Sequence, residues 1–184
     1  MAEKIQTNWL QAAVLRVTRV HFFFVLAYAV SIVAFDSWNL IPPESLAKRW
    51  TMAAVLLAVN TVLWYAARAR GQRELYYKLL TVVLVITDIY LAAFMVYAER
   101  GMASRGVALF AIPIVISAAL LSRSAVYATA ALCTAAYSLA AVRYFAAFPS
   151  EGYKIELYGV IAFYSAGFFI LAALLGVIVH ARRP

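Results

Sequence analysis

Read as apolar and polar positions, the chain is a series of long apolar runs separated by short polar breaks, without the two-residue alternation of a membrane strand. The runs cover about residues 20–35, 50–67, 76–98, 107–121, 124–148 and 157–180. Most are near the length a helix needs to cross a hydrocarbon core of about 30 Å. The first is short unless the preceding turn joins it. Upstream, Ile5, Trp9, Ala13, Val17 and Val20 recur at three- and four-residue spacing, with Lys4, Gln6, Gln11, Arg16 and Arg19 largely off that face. This predicts a helix over about 3–19 lying in the membrane interface. The expected fold is all-α: one domain over 1–184, a bundle of six transmembrane helices preceded by the interfacial helix.

The breaks agree with this division. Asp36, Trp38 and the Pro42-Pro43 pair end the first span, and Arg68, Arg70, Gly71 and Arg73 form a basic turn after the second. Trp50 at one end of the second span and Trp64-Tyr65 at the other read as interfacial anchors, as do Tyr76-Tyr77 and Tyr153 with Tyr158. No linker, low-complexity tract or second domain interrupts the pattern. The first apolar run starts too late, and lacks a clean small-residue cleavage signal, to read as a signal peptide. It reads as an uncleaved anchor.

Composition strengthens the membrane reading. Hydrophobic residues make up 66% of the chain and charged residues 13%, with a mean hydropathy of +0.86, which leaves too little polar surface to clothe a water-soluble globule. The net charge of +8 is then better explained by the positive-inside bias and by anionic lipid head groups than by nucleic acid. With the N terminus inside, the inner segments carry Lys4, Arg16, Arg19, Arg68, Arg70, Arg73, Lys78, Arg123, Arg182 and Arg183. The outer ones carry Lys48, Arg49, Arg100, Arg105, Arg143 and Lys154. Both termini are therefore expected in the cytoplasm, with the loop 99–106 outside.

Few residues remain for chemistry. Asp88 lies in the middle of the third span, where an ionisable group costs roughly 3 kcal/mol or more. Asn60, near mid-depth of the adjoining span, is its expected hydrogen-bond partner, and Thr61, Thr81 or Thr87 can add donors. Three roles fit Asp88: structural glue, a carboxyl that hydrogen-bonds a lipid-soluble ligand, and proton or cation coupling. His21 and His180 fall at cytoplasmic helix ends beside arginines, which favours snorkelling over ligation of haem or a metal. Arg143 sits near enough to the outer surface to snorkel. A lone Cys133 excludes an intrachain disulfide and a thiolate metal site. No phosphate loop, HExxH or CxxC is present, and no catalytic set, metal site or resident cofactor is expected. In the sixth span Gly159, Gly167 and Gly176, at spacings of eight and nine residues, are expected near one helix face. They permit close helix packing, and a homodimer contact is one use for them.

From Thr87 onward the order is an intramembrane acid, a polar outer loop, an apolar helix with Pro113 in IPIVISAALL, a tight turn at Ser122-Arg123 and an Ala-rich span. This order resembles the six-span sensor region of bacterial histidine kinases of the redox-responsive RegB/PrrB and pilus-regulating PilS types. In the redox type the loop carries a Gly-Gly and an Asn-Pro-Phe element associated with quinone sensing. Here it reads Arg100-Gly101-Met102-Ala103-Ser104-Arg105-Gly106, with one glycine matched at Gly101 and Ser104-Arg105-Gly106 in place of the second element.

The resemblance implies a sensor or input module in a bacterial inner membrane, non-catalytic by itself. Such a module signals by helix repacking when something in the membrane binds, with quinone as one such ligand. On this view the chain is the sensor region of a longer kinase or a free-standing relative. The readings from other classes are a small transporter or channel-like protein using Asp88, and a structural subunit of a membrane complex. Transport predicts a water path to Asp88, and a subunit predicts purification with a fixed partner.

Overall fold

The computed structural model describes residues 2–69, 73–99, 104–148 and 156–180, with side chains described from Thr7 to Val179. Its elements are α1 (Ala2–Ser37), α2 (Pro43–Ala67), α3 (Glu74–Ala98), a 3₁₀ helix (Arg105–Phe110), α4 (Ala111–Leu120), α5 (Arg123–Ala147) and α6 (Glu156–His180). There is no strand among the described residues. Five helices are long and apolar enough to cross a bilayer, and the all-α membrane bundle expected from the sequence is what is found. Contacts divide the chain into two units, Met1–Leu84 and Val85–Pro184, with the boundary inside α3.

In the first unit α1 and α2 form an antiparallel pair. Leu10, Val14, Thr18, His21, Val25, Tyr28 and Ile32 are buried at three- and four-residue steps along α1. On α2 the corresponding stripe is Met52, Ala53, Leu56, Asn60, Leu63 and Ala67. Two hydrogen bonds fix the register. Gln11 Nε2 donates to the Ala67 carbonyl at 3.0 Å, and Asn60 Nδ2 donates to the Thr18 carbonyl at 3.0 Å, seven residues later on α1 and seven earlier on α2. The helices are joined through a Schellman turn. Leu40 N–H reaches the Phe35 carbonyl at 2.8 Å and Asn39 N–H the Asp36 carbonyl at 2.9 Å, with Asn39 at φ 55°. Pro43 then opens α2 at a position where a missing N–H costs nothing.

The far end of α2 is closed by side chains. The Ala66 carbonyl accepts from the Tyr76 hydroxyl at 3.1 Å, and the Ala69 carbonyl from the Tyr77 hydroxyl and from Gln11 Nε2. The Arg68 guanidinium lies 3.5 Å from the centre of the Trp64 ring. Orphan carbonyls at a helix end must find donors.

In the second unit α4 packs against both α5 and α6, and α5 runs along α6. Ser117 and Thr129 share a 2.7 Å hydroxyl–hydroxyl bond between α4 and α5, and the Phe110 and Tyr137 rings meet at 6.2 Å. The 3₁₀ helix leans on α3 through a backbone approach only glycine allows: a Cβ on Gly106 would stand 2.7 Å from Met95 Cβ and 2.9 Å from Ser104 Oγ.

Two expectations change. The interfacial helix over 3–19 and the span over 20–35 are not separate elements, because α1 continues unbroken through Arg19 and Val20 and its apolar stretch runs from Thr7 to Ser37. No Pro or Gly stands at that boundary to break it. The fourth span, expected as one α-helix over 107–121, is a 3₁₀ helix of six residues followed by an α-helix of ten. Pro113 accounts for the change of winding, since its ring would clash with the Leu109 carbonyl in an uninterrupted α-helix and it brings no N–H. The Cys133 thiol, at 3.8 Å, is a donor to the nearby Phe110 carbonyl. At about 2.0 Å per 3₁₀ residue and 1.5 Å per α residue, the pair reaches roughly 27 Å, against about 24 Å as pure α-helix.

Gly106→Ala should therefore destabilise the protein by about 1–3 kcal/mol through overpacking. At Gly159 a Cβ meets nothing within 4 Å, so Gly159→Ala should be neutral or stabilising by up to about 1 kcal/mol. Thermal melts in detergent distinguish the two.

Candidate functional site

The polar residues singled out in the spans fall into separate settings. Asn60, 2% exposed, belongs to the first unit, where its amide goes to the Thr18 carbonyl of α1 and its Oδ1 has no hydrogen-bond partner among the described residues. The sequence pointed to Asp88 as its partner. Asp88 lies in the second unit, 3% exposed on the α3 face that also buries Val85, Ile89, Ala92 and Met95, with Thr87 half-buried beside it. The threonines expected to help Asp88 are spent locally: Thr61 donates to the Leu57 carbonyl and Thr81 to the Tyr77 carbonyl, each one turn back on its own helix. Thr18, Thr51, Thr129, Ser138 and Ser165 do the same. A hydroxyl bonded this way is satisfied in lipid and is a poor nucleophile or ligand donor.

His21 is a correction. It was expected to snorkel at a helix end, but α1 is continuous there, so His21 is a buried interior residue at 5% exposure, one turn from Thr18 on the α2-facing stripe. The His180 side chain, Arg100 and Gly101 lie outside the described residues. Arg143 is exposed on α5. Among the described residues no three His, Cys, Asp or Glu side chains gather as metal ligands.

The other half of the expected sensor loop is described. Ser104 is buried and fully engaged: its Oγ accepts from Gly106 N–H at 2.9 Å and lies 3.3 Å from both the Met95 carbonyl and Glu99 Oε2. It shapes the entry to the 3₁₀ helix. Arg105 is exposed and makes no ion pair among the described residues.

Arg105 stands at the edge of a groove. One wall is Ser104, Arg105, Val107, Ala108 and Ala111, from the 3₁₀ helix and the start of α4. The other is Tyr164, Gly167, Phe168 and Leu171, one face of α6. The groove encloses about 310 Å³, at the small end of ligand sites, and its lining is mostly apolar. At Gly167 a Cβ would meet nothing within 4 Å, so the position faces open space. Behind the α6 wall lies an aromatic cluster: Phe110 and Phe168 at 5.4 Å, Tyr137 and Tyr164 at 5.5 Å, Tyr137 and Phe168 at 6.2 Å. The Tyr137 hydroxyl at its centre is buried and has no hydrogen-bond partner among the described residues.

The three glycines do not form one stripe. At about 100° per residue, a step of eight turns Gly167 roughly 80° from Gly159, and a step of nine carries Gly176 to the opposite side from Gly167. Gly159 and Gly167 are exposed and Gly176 is buried. Pro113 is buried in α4 and sets the winding there.

Residues 2–183 match the family described as the PilS-like transmembrane domain. The chain belongs to that family. Of the two kinase types that the loop and the Pro113 helix resembled, the match is to the pilus-regulating one. No curated protein and no solved structure matches the chain. A PilS-like transmembrane domain is a multi-pass membrane domain of a sensor family, not itself catalytic. The residues that sequence reasoning missed are the α6 wall of the groove, Tyr164, Phe168 and Leu171, although with Gly167 they recur at the three-, four- and seven-residue offsets of a single helix face.

Asn60→Leu should lower stability by about 1 kcal/mol through loss of the bond to Thr18. Thr61→Val, at an exposed position bonded only to its own helix, should change the melt by no more than about 0.5 kcal/mol. Equal effects from both would remove Asn60 from the helix contact.

Proposed function

We propose that this domain is the input module of a two-component histidine kinase, and that it reads a membrane-borne ligand through the groove between the 3₁₀–α4 segment and α6. The observation that carries the reading is the groove itself, set between the 3₁₀ segment, where the described chain departs from α-helix, and α6. An occupied groove separates or twists these two walls, and a ligand that prefers one packing shifts the equilibrium toward it. Asp88 is a buried structural polar group on α3 in this reading, and a quinone is one of the lipid-soluble molecules that would suit such a groove. Transport is less well supported, since among the described residues one short segment departs from regular α-helix, where transporters usually pair two interrupted helices.

The functional test is a fusion of the chain to a soluble kinase core, reconstituted in liposomes. Gly167→Leu, which fills the groove, should lock autophosphorylation high or low and remove its response to membrane composition. Gly159→Leu, on open helix surface outside the groove, should leave the response intact. A response unaltered by Gly167→Leu would defeat the reading.

The proposed orientation puts both termini in the cytoplasm of a bacterial inner membrane. With Cys133→Ala as background, Arg105→Cys should react with an impermeant thiol reagent in intact cells and Arg123→Cys only after lysis. Both positions are exposed. The opposite pattern inverts the topology.

A further inference from the structure

The groove combines an apolar lining with a cation at its edge, the exposed Arg105. A groove open to a bilayer does not stay empty, because the solvent around it is acyl chain, so the question is which amphiphile it prefers. The lining away from Arg105 and Ser104 is Val107, Ala108, Ala111, Gly167, Phe168 and Leu171, suited to a hydrocarbon chain. The volume of about 310 Å³ is at the lower limit for a ligand site, which favours one acyl chain over two. At the edge, Ser104 is spent on Met95, Glu99 and Gly106, so the free polar handle among the described residues there is the Arg105 guanidinium. A planar fork of N–H donors suits a carboxylate. Gly167 lies in the lining between Tyr164 and Phe168, and a Cβ there meets no protein atom within 4 Å, so the position leaves room beside the chain.

We propose that the groove between the 3₁₀–α4 segment and α6 binds a single-chain anionic amphiphile, a free fatty acid, with its carboxylate on Arg105 and its chain along Gly167, Phe168 and Leu171. The inference rests on the sensor reading above for its purpose, and names the ligand class of that same site. The carboxylate keeps its charge and its place at the polar edge of the bilayer while the chain stays in hydrocarbon, so neither end is desolvated at a loss.

The experiment uses the full chain in nanodiscs of phosphatidylcholine, with a fatty acid bearing a diazirine near its methyl end as the probe. Photolysis followed by peptide mapping should place adducts within 107–111 and 164–171. Oleate should compete with the probe better than methyl oleate, and better than dioleoylphosphatidylglycerol, which carries the charge on two chains. Arg105→Gln should erase most of the preference of acid over ester, by about fivefold for an exposed pair. Gly167→Leu should abolish labelling at these sites while Gly159→Leu preserves it. Ala111→Leu, which narrows the groove from the opposite wall, provides the same test if Gly167→Leu does not fold.

Labelling spread evenly over the lipid-facing helices, equal competition by acid and ester, or stronger competition by phosphatidylglycerol would each overturn the proposal. The kinase fusion separates it from the sensor reading. Groove labelling by the acid with an output indifferent to it sustains the site and defeats the sensor. An output changed by Gly167→Leu without acid-selective labelling does the reverse.

Discussion

In a bilayer a backbone carbonyl without a donor has no water to turn to, and much of this fold is arranged around that constraint. It extends to the border of the bilayer, where α2 stops. The carbonyls of Ala66, Ala67 and Ala69 are taken by Tyr76, Gln11 and Tyr77, so one helix end draws a glutamine from α1 and two phenols from α3 into a single cap. The same logic puts Asn60 on the Thr18 carbonyl and turns nearly every intramembrane threonine and serine back on its own helix. These bonds set the α1–α2 register as well as satisfying polar groups. The apolar stripes alone, which repeat every three or four residues, would tolerate a slip of one turn.

The constraint also explains which parts of the structure were legible in the sequence. The long apolar runs, the Pro42-Pro43 break and the basic turn after Ala67 announce helices and their ends directly, because length, proline and charge act locally. Asn60 was visible as a polar residue within a span, but its partner was not. A side-chain inventory pairs it with Asp88, whereas the group it reaches is the Thr18 backbone carbonyl, which every sequence carries and none displays. Tyr76 and Tyr77 were placed at an interface on account of their rings, and their hydroxyls turned out to close a helix. The burial of His21 is not legible because the polar residues up to Arg19 suggest a helix boundary there, while neither proline nor glycine enforces one and α1 runs on.

The groove was half legible. Ser104, Arg105 and Gly167 stood out for their polarity or lack of side chain, and Pro113 marked the irregular helix. Tyr164, Phe168 and Leu171 look like any lipid-facing or core residue in an apolar span, and what makes them a wall is the 3₁₀ helix opposite. That element exists through two local requirements, the proline at position 113 and the glycine at position 106, whose Cβ would collide with Met95. Neither requirement announces a 3₁₀ winding by itself, since Pro113 alone is equally compatible with a kinked α-helix.

The 3₁₀ winding has a mechanical side. Each of its residues advances about 2.0 Å and turns about 120°, against 1.5 Å and 100° in an α-helix. Rewinding Arg105–Phe110 as α-helix would shorten the segment by roughly 3 Å and rotate everything beyond it by roughly 120°. Six residues thus hold a screw motion comparable in size to a helix shift at a signalling interface, and the buried face of α4, with its Ser117–Thr129 bond to α5, is what opposes its release. Gly106 sits near the start of that screw as the bearing against α3, and Pro113, three residues beyond its end in the first turn of α4, acts as the stop.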